Sequence, residues 1–380
     1  MIMEQRNTIE SNNVVPQEQQ AKTPEQIALE KYDRAISNAN KIIASAEQEQ
    51  SSGGIKKLTG ISSANAHYML DTISWDRNFT GSETQGNNLS EVPDNVIEAQ
   101  RLIYGAYKPS DVIQQFQKQV YKKSCNEISN EEFESVIEGW GSMDTEQKKS
   151  FLRSFVSKLS NSFGFEKEIP LVFMSHDMDE AEATYVEGQG IAIPKSFFSR
   201  NKNLFYSLEL LAHEVNHAVQ EKLIKSNDST DIPDVEWFRL SEERRSFITD
   251  QEFKKRGRGI ASDSLESTYR SLPMEQDSFN AQRIFREELD SRVSSVIDRK
   301  LESLHLPPYS EVKFIFSIFN VIDEFVDIGI PVTEENLIKR LTKEEKDYLE
   351  KNRGGKSYEE YYDVIKGIRK NILENFKDVF

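Results

Sequence analysis

The stretch Leu211-Ala212-His213-Glu214-Val215-Asn216-His217-Ala218-Val219-Gln220 contains the chain's single H-E-x-x-H pattern. Apolar residues recur around it at helical spacing, which predicts a helix from near Asn203, its cap, to about Lys225. This apolar stripe consists of Leu204, Leu208, Leu211, Val215 and Val219. Positions four apart lie one turn apart on the same helix face, so His213 and His217 can offer two imidazole nitrogens to one ion.

Glu214 directly follows the first of these histidines. A catalytic zinc ion takes three protein ligands and a water molecule, and a glutamate at this position lies beside that water and accepts its proton. We therefore expect Zn²⁺ as the cofactor, His213 and His217 as metal ligands and Glu214 as the general base. The alternative is a chance match in a long helix, which is rare in a chain of 380 residues with five histidines.

The third metal ligand has to come from another part of the chain. Pro273 marks the first turn of a second long helix that continues to about Ser303, and Glu275 lies in that first turn. A carboxylate oxygen is an ordinary third ligand for catalytic zinc, although a glutamate in a first turn is also favoured by the helix dipole without any metal. The other candidates are Asp277, Glu287, Glu288 and His305, the last of which would give a site of three histidines.

The HEVNHAVQ stretch and the later pattern Y-x-x-x-P-x-E-x-x-[AS]-F, from Tyr269 to Phe279, carry a family resemblance. Together they resemble HExxH metallopeptidases of the zincin type with a glutamate as third ligand, above all bacterial families with an H-E-x-x-H-x-x-Q helix and a later P-x-E-x-x-A segment. In these families the glutamate of the second segment is the third ligand, which implies Glu275 here. Ser278 stands where alanine is usual, and about sixty residues separate the two motifs. The resemblance covers roughly residues 170–292.

Two further residues are candidates for contact with substrate. The hydroxyl of Tyr269 can polarise the scissile carbonyl group, or the ring can simply pack as an aromatic side chain. His176, next to Asp177 in a predicted loop, can stabilise an oxyanion or be an ordinary loop histidine. We place Tyr269 with Glu214 as the predicted catalytic residues.

The fold class that we predict is α+β and predominantly helical, with a zincin-like core that combines a small β-sheet and an active-site helix. Leu171-Val172-Phe173-Met174 is typical of a buried strand, and residues 183–193 carry apolar residues around the turn Gly188-Gln189-Gly190. The segment from Gly190 to Pro194 fits an edge strand that binds an extended peptide, or equally a buried hairpin.

Four regions follow from the pattern of the whole chain. Residues 1–25 are polar and predict a disordered tail. Residues 26–165 predict a helical amino-terminal region, which begins with the cap Thr23-Pro24 and includes a helix with Val112, Phe116 and Val120 at helical spacing. Residues 166–305 form the predicted metallopeptidase core, and residues 306–380 form a helical carboxy-terminal region that includes a helix capped by Thr333.

Composition excludes several classes of function. The net charge of −16 argues against nucleic acid, whose phosphates require clustered Lys and Arg. The single cysteine, Cys125, excludes an internal disulfide and a cysteine-based zinc site, and no histidine lies near it in sequence to activate it as a nucleophile. The longest apolar patch, Phe314 to Val326, is too short and too interrupted by polar residues to span a bilayer, so we expect no membrane insertion.

The first 20 residues lack the apolar segment of a secretory signal. We therefore expect a cytoplasmic protein, or a bacterial effector that reaches a host cell without a cleaved signal. The expected function is hydrolysis of peptide bonds in a specific intracellular protein, with a protein or peptide as substrate. The competing interpretation is an inactive zincin-fold scaffold that binds a partner protein.

Overall fold

Helices dominate the structure, a computed structural model that describes residues 22–49, 56–73, 93–177, 182–200, 203–226, 232–242, 269–327 and 331–376. The chain is predominantly helical and carries one small mixed sheet, as the sequence predicts. Its internal contacts divide it into two units, Met1–Ala106 and Tyr107–Phe380. All the residues considered for the metal site lie in the second unit.

In its described residues the first unit contains three helices, α1 (Pro24–Gln48), α2 (Ser63–Ile73) and α3 (Asp94–Tyr104). The predicted start of α1 is confirmed, because the Thr23 side chain accepts a hydrogen bond from the Gln26 backbone and Pro24 occupies the first turn. One face of α1 is buried through residues spaced three or four apart, namely Ala35, Ala39, Ile42 and Ala46. Residues 1–21, which make up most of the predicted disordered tail, lie outside the described residues.

Nine helices of the second unit have both ends within the described ranges. They are α4 (Asp111–Asn126), α5 (Asn130–Gly139), α6 (Thr145–Ser162), α7 (Leu204–Lys225), α8 (Pro273–Ser303), α9 (Tyr309–Asp327), α10 (Glu334–Arg340), α11 (Lys343–Asn352) and α12 (Tyr358–Phe376). The predicted caps are confirmed at Asn203 for α7 and at Thr333 for α10, and Pro273 opens α8. Residues 234–242 are also helical, and residues 243–268 lie outside the described residues.

The helices α4, α7 and α8 pack around a common apolar core. Along α7 and α8 the contacts run in opposite directions: Gln220 bonds to Met274, whereas Glu209 bonds to Gln282 and Arg286. The two helices are therefore antiparallel, and the first turn of α8 lies beside the middle of α7. The helices assigned to an amino-terminal region on sequence, α4 to α6, belong to the same unit as the H-E-x-x-H helix.

The buried face of α4 is not the one that its apolar spacing suggests. Val112 and Phe116 are 53% and 37% exposed, whereas Gln117 is fully buried. Cys125 is buried on that inner face, and burial raises the pKa of its thiol to about 12. A thiol with so high a pKa is a poor nucleophile at neutral pH, in line with the sequence argument against that role.

Three short strands, β1 (Leu171–Phe173), β2 (Thr184–Val186) and β3 (Gly190–Ile193), form the sheet in the order β1-β3-β2. β3 pairs in parallel with β1, where Val172 is opposite Ala192, and antiparallel with β2, where Tyr185 is opposite Ile191. The prediction of an edge strand at residues 190–194 is therefore wrong, because β3 has partners on both sides, and the hairpin alternative is confirmed. The prediction of a buried strand at residues 171–174 is also wrong, since β1 is an edge of the sheet that the described residues form and Val172 is 46% exposed.

The helices α9 to α12 enclose a second apolar cluster, which includes Ile318, Phe319, Leu349 and Ile365. Across the described ranges, no helix is both long enough and apolar enough to cross a membrane. The apolar patch from Phe314 to Val326 lies within α9, whose apolar face packs into this cluster.

Candidate metal centre

The helix α7 brings the two motif histidines together as the four-residue spacing predicts. His213 and His217 are only 7% and 3% exposed, and their ring centroids lie 4.9 Å apart. Both rings turn the same nitrogen towards each other, with the two Nε2 atoms 3.2 Å apart. Two buried imidazole nitrogens therefore point at one small volume beside the helix.

The first turn of α8 supplies a carboxylate to the same volume. Glu275 is 2% exposed, with one oxygen 3.4 Å from Nε2 of His213 and the other 3.6 Å from Nε2 of His217. Burial acts to raise the pKa of Glu275, but the neighbouring imidazoles of His217 and His213 outweigh it and hold this pKa well below its ordinary value. The ionised carboxylate is the form that binds a metal.

The three side chains lie close enough together to share one ion. Zinc binds histidine nitrogen and carboxylate oxygen at about 2.0–2.1 Å, so two ligand atoms at a tetrahedral angle lie roughly 3.3–3.4 Å apart. The two Nε2 atoms are close to this spacing at 3.2 Å, whereas the distances of 3.4 and 3.6 Å run from them to different oxygens of Glu275. His213, His217 and Glu275 are also the only group of three or more metal-ligating side chains within the described part of the chain. These buried residues can hold a metal ion.

The other candidates for the third ligand lie elsewhere. Glu287 and Glu288 follow Glu275 by three turns or more along α8, which is roughly 18 Å at 1.5 Å per residue, and Glu287 pairs with Arg283. His305 is exposed beyond the end of α8. Asp277 is buried close to the site, but both of its oxygens accept hydrogen bonds from side-chain amides.

Glu214 is held between α7 and the sheet. Its side chain is buried, and Oε2 accepts a hydrogen bond of 2.6 Å from the backbone N–H of Tyr185 in β2. Glu214 directly follows His213 on α7 but is not a member of the metal-ligand cluster. The sheet thus orients the residue that the sequence predicts as the general base.

The remaining predicted site residues contribute less definite geometry. Tyr269 is half-buried, and its backbone carbonyl accepts a hydrogen bond from Leu272 just before α8. The role of its hydroxyl group stays a prediction. His176 is exposed in the loop after β1 and is not part of the metal-ligand cluster; its carbonyl accepts a hydrogen bond from the Lys195 backbone.

A layer of buried polar side chains beneath His217 was missed on sequence. Nδ1 of His217 lies 2.9 Å from Oε1 of Gln220 and 3.2 Å from Oγ of Ser278. Behind them, Asp277 accepts hydrogen bonds from three amides, those of Gln117, Asn216 and Gln220. Burial raises the pKa of Asp277 to about 6, although these three bonds act to lower it. The glutamine three residues after His217 is the one member that the quoted H-E-x-x-H-x-x-Q pattern includes.

His213 is supported differently from His217. Within the described residues no group forms a hydrogen bond with its Nδ1, and its ring packs instead against the edge of Phe279, with centroids 4.8 Å apart. Phe279 is 41% exposed, and the guanidinium of Arg270 lies 5.8 Å from its ring centroid. An apolar ring therefore connects a metal-ligand candidate with the protein surface.

Comparisons of the chain with protein-family models, curated proteins and solved structures find no match.

Proposed function

We propose that this protein is a zinc-dependent metallopeptidase of the zincin type with a glutamate as third ligand. The observation that carries the proposal is the convergence of His213, His217 and Glu275, three buried side chains whose ligand atoms lie close enough together for one ion. Two histidines and one glutamate are a ligand set used by catalytic zinc, because they leave a fourth position for water or substrate. Structural zinc sites instead are typically closed by four ligands, often cysteines.

The chain's own residues divide the chemistry between them. When bound, Zn²⁺ supplies a Lewis acid that polarises a carbonyl group and acidifies water. Glu214, which the backbone N–H of Tyr185 holds in place, accepts the proton of the attacking water and passes it to the leaving amine. Tyr269 is our candidate for the donor that stabilises the developing oxyanion. A peptide or protein is the proposed substrate.

Metal analysis and cleavage assays on matched variants test this proposal. We expect purified wild type to hold close to one zinc per chain and Glu275→Ala to lose it. Glu214→Gln keeps the size of the side chain and should retain zinc, while cleavage falls by about 10²–10⁴-fold because the base is lost. Glu287→Ala, an exposed position on the same helix, is the control and should retain both zinc and activity.

The substrate itself can be found by comparing the proteomes of cells that express wild type or Glu214→Gln. Peptides with new termini should appear only with the wild type. A wild type without zinc would refute the metal centre. A wild type that holds zinc but gives the same proteome as Glu214→Gln would refute the peptidase and favour the scaffold that binds a partner protein.

A further inference from the structure

The side-chain amide of Gln220 has only one possible orientation. Its Nε2 lies 2.9 Å from the backbone carbonyl oxygen of Met274 and 2.8 Å from Oδ2 of Asp277. A carbonyl oxygen can accept a hydrogen bond but never donate one, so the atom facing Met274 has to be the amide nitrogen. The opposite end of the amide, Oε1, then necessarily faces His217.

This orientation determines which nitrogen of His217 carries the proton. Oε1 of Gln220 is a pure acceptor and lies 2.9 Å from Nδ1, so Nδ1 has to be the donor. In the neutral imidazole the proton is then on Nδ1, and Nε2 keeps its lone pair. Nε2 is the nitrogen that faces His213 and Glu275. The backbone of α8 thus selects, through Gln220, the tautomer of His217 that can bind a metal.

Asp277 anchors this arrangement from behind. It is completely buried, and its Oδ2 accepts hydrogen bonds of 2.8 Å from both Gln220 and Asn216. Its Oδ1 accepts a hydrogen bond of 2.9 Å from Nε2 of Gln117 on α4. Three donors on one carboxylate leave it little freedom to rotate, so it fixes the Gln220 amide in place.

Among the residues that bind Asp277, Gln117 comes from α4, whereas Asn216 and Gln220 come from α7. It is fully buried, and its Oε1 accepts a hydrogen bond of 3.3 Å from Asn280, so both ends of its amide are engaged. It is 160 positions from Asp277 in sequence. No apolar pattern explains a buried glutamine on α4, whereas a need to hold Asp277 does.

We propose that Gln117, Asp277 and Gln220 form a relay of hydrogen bonds that locks His217 in the tautomer whose proton is on Nδ1 and whose unprotonated Nε2 can bind a metal. They are positioning residues and bind neither the ion nor substrate. The inference depends on the metal centre of the proposed function but not on peptide cleavage. Outer hydrogen-bond partners of this kind are worth about 10–100-fold in metal affinity.

The first test reads the tautomer directly in the full-length protein without metal. The chain has five histidines, so a sample labelled with ¹⁵N in histidine gives few ring signals, and loss of a signal in His217→Asn assigns it. The spectrum is recorded at pH 9, well above the ordinary imidazole pKa of about 6.5. We expect a proton on Nδ1 of His217; a proton on Nε2, or an equal mixture, would overturn the proposal whatever any variant does.

The second test measures zinc affinity by competition with a chromophoric chelator. Gln117→Met and Gln220→Met keep an unbranched side chain of similar length but remove the hydrogen bonds, and we expect zinc to bind about tenfold more weakly or worse in each. Gln115→Ala is the matched control, since Gln115 is an exposed glutamine on α4, the helix of Gln117. This variant should bind zinc within twofold of wild type.

The outcomes separate this inference from the proposed function. Unchanged affinity in both methionine variants, together with an unchanged tautomer, would overturn the relay even if the wild type binds zinc and cleaves peptides. If the wild type binds no zinc, the proposed function fails together with the relay's role in metal binding, and the tautomer spectrum of the metal-free protein then decides only whether the relay fixes the His217 ring. If the methionine variants show no cooperative thermal transition, the wild-type spectrum decides it.

Discussion

The two histidines of the motif lie on one helix face but in unlike surroundings. His217 faces inward, where Gln220 and Ser278 contact its Nδ1, whereas the ring of His213 packs on the partly exposed Phe279. One ligand is thus held by directional hydrogen bonds and the other by an apolar contact near the surface. We expect His217 to be the rigid ligand and the side of His213 to face the incoming substrate.

This contrast predicts a role for Phe279 in substrate binding. Because it is 41% exposed and adjoins His213, replacing it with alanine should cost little stability, less than about 1 kcal/mol. For a peptide that the wild type cleaves, kcat/KM of Phe279→Ala should fall about tenfold, the equivalent of about 1.4 kcal/mol. Steady-state kinetics on purified protein measures this change.

Val112→Ala is the control for Phe279→Ala, since Val112 is also an exposed apolar residue but lies on α4. It should leave kcat/KM unchanged. Zinc content should equal that of wild type in both variants. An unchanged kcat/KM in Phe279→Ala would place the substrate on another side of the metal centre.

At the scale of single residues, the sequence predicts the site residues that lie within one motif. The spacing of His213 and His217 is enough to place two imidazoles on one face, and the family resemblance adds Glu275 from the second motif. Gln117 could not be predicted, because Val112, Phe116 and Val120 suggest a different inner face for α4, and Val112 and Phe116 prove exposed. Gln117 is buried because its amide donates a hydrogen bond to Asp277 across the core, and Asp277 is far away in sequence.

At the scale of elements, helix starts could be predicted well because caps are local. Thr23, Asn203 and Thr333 each accept a hydrogen bond from the backbone of the residue three positions later. The order of the strands could not be predicted in the same way. Whether β3 is central or an edge depends on β1, which is separated from it by the loop and β2, and nothing in the residues of β3 alone encodes that pairing.

The sheet predicts a strong requirement for glycine at position 190. Gly190 has φ of +110°, and a Cβ placed there would lie 2.3 Å from the carbonyl oxygen of Pro170, which accepts a hydrogen bond from Ile191. Gly190→Ala should therefore lower the free energy of unfolding by about 1–3 kcal/mol through backbone strain, and the clash with Pro170 should add to this loss. Urea denaturation followed by circular dichroism measures the loss.

Gly188→Ala is the matched control for this change. Gly188 also has positive φ, +67°, but an added Cβ would meet nothing within 4 Å. Gly188→Ala should lower the free energy of unfolding only by the strain of the left-handed conformation, about 1–2 kcal/mol. Equal losses for the two variants would show that Pro170 moves aside at no cost and that the close approach is not needed.

At the scale of the molecule, the metal centre joins helices that are distant in sequence. His213 and His217 come from α7 and Glu275 from α8, so an ion bound between them would link the two helices at the middle of the second unit. A ligand that binds only the folded state stabilises it in proportion to the logarithm of its concentration. The stability of this unit should therefore respond to zinc.

Removal of zinc with a chelator should lower the melting temperature. At a free zinc concentration of 100 times Kd, binding adds about 2.7 kcal/mol to the free energy of unfolding, which corresponds to roughly 5–10 °C for a unit of this size. Differential scanning calorimetry with zinc and with chelator measures the shift. Glu275→Ala should melt at one temperature under both conditions, and a zinc shift of equal size in that variant would locate the ion elsewhere.

The hydrogen bond between Gln117 and Asp277 also bears on how the chain folds. It joins residues 160 positions apart, and contacts of such long range form only after a large loop has closed. Each helix can begin to form from its own local signals. The hydrogen-bonded side chains around His217, however, come together only once α4, α7 and α8 have docked. We therefore expect the ion to bind late in folding. It should leave the refolding rate unchanged and stabilise the protein by lowering the unfolding rate.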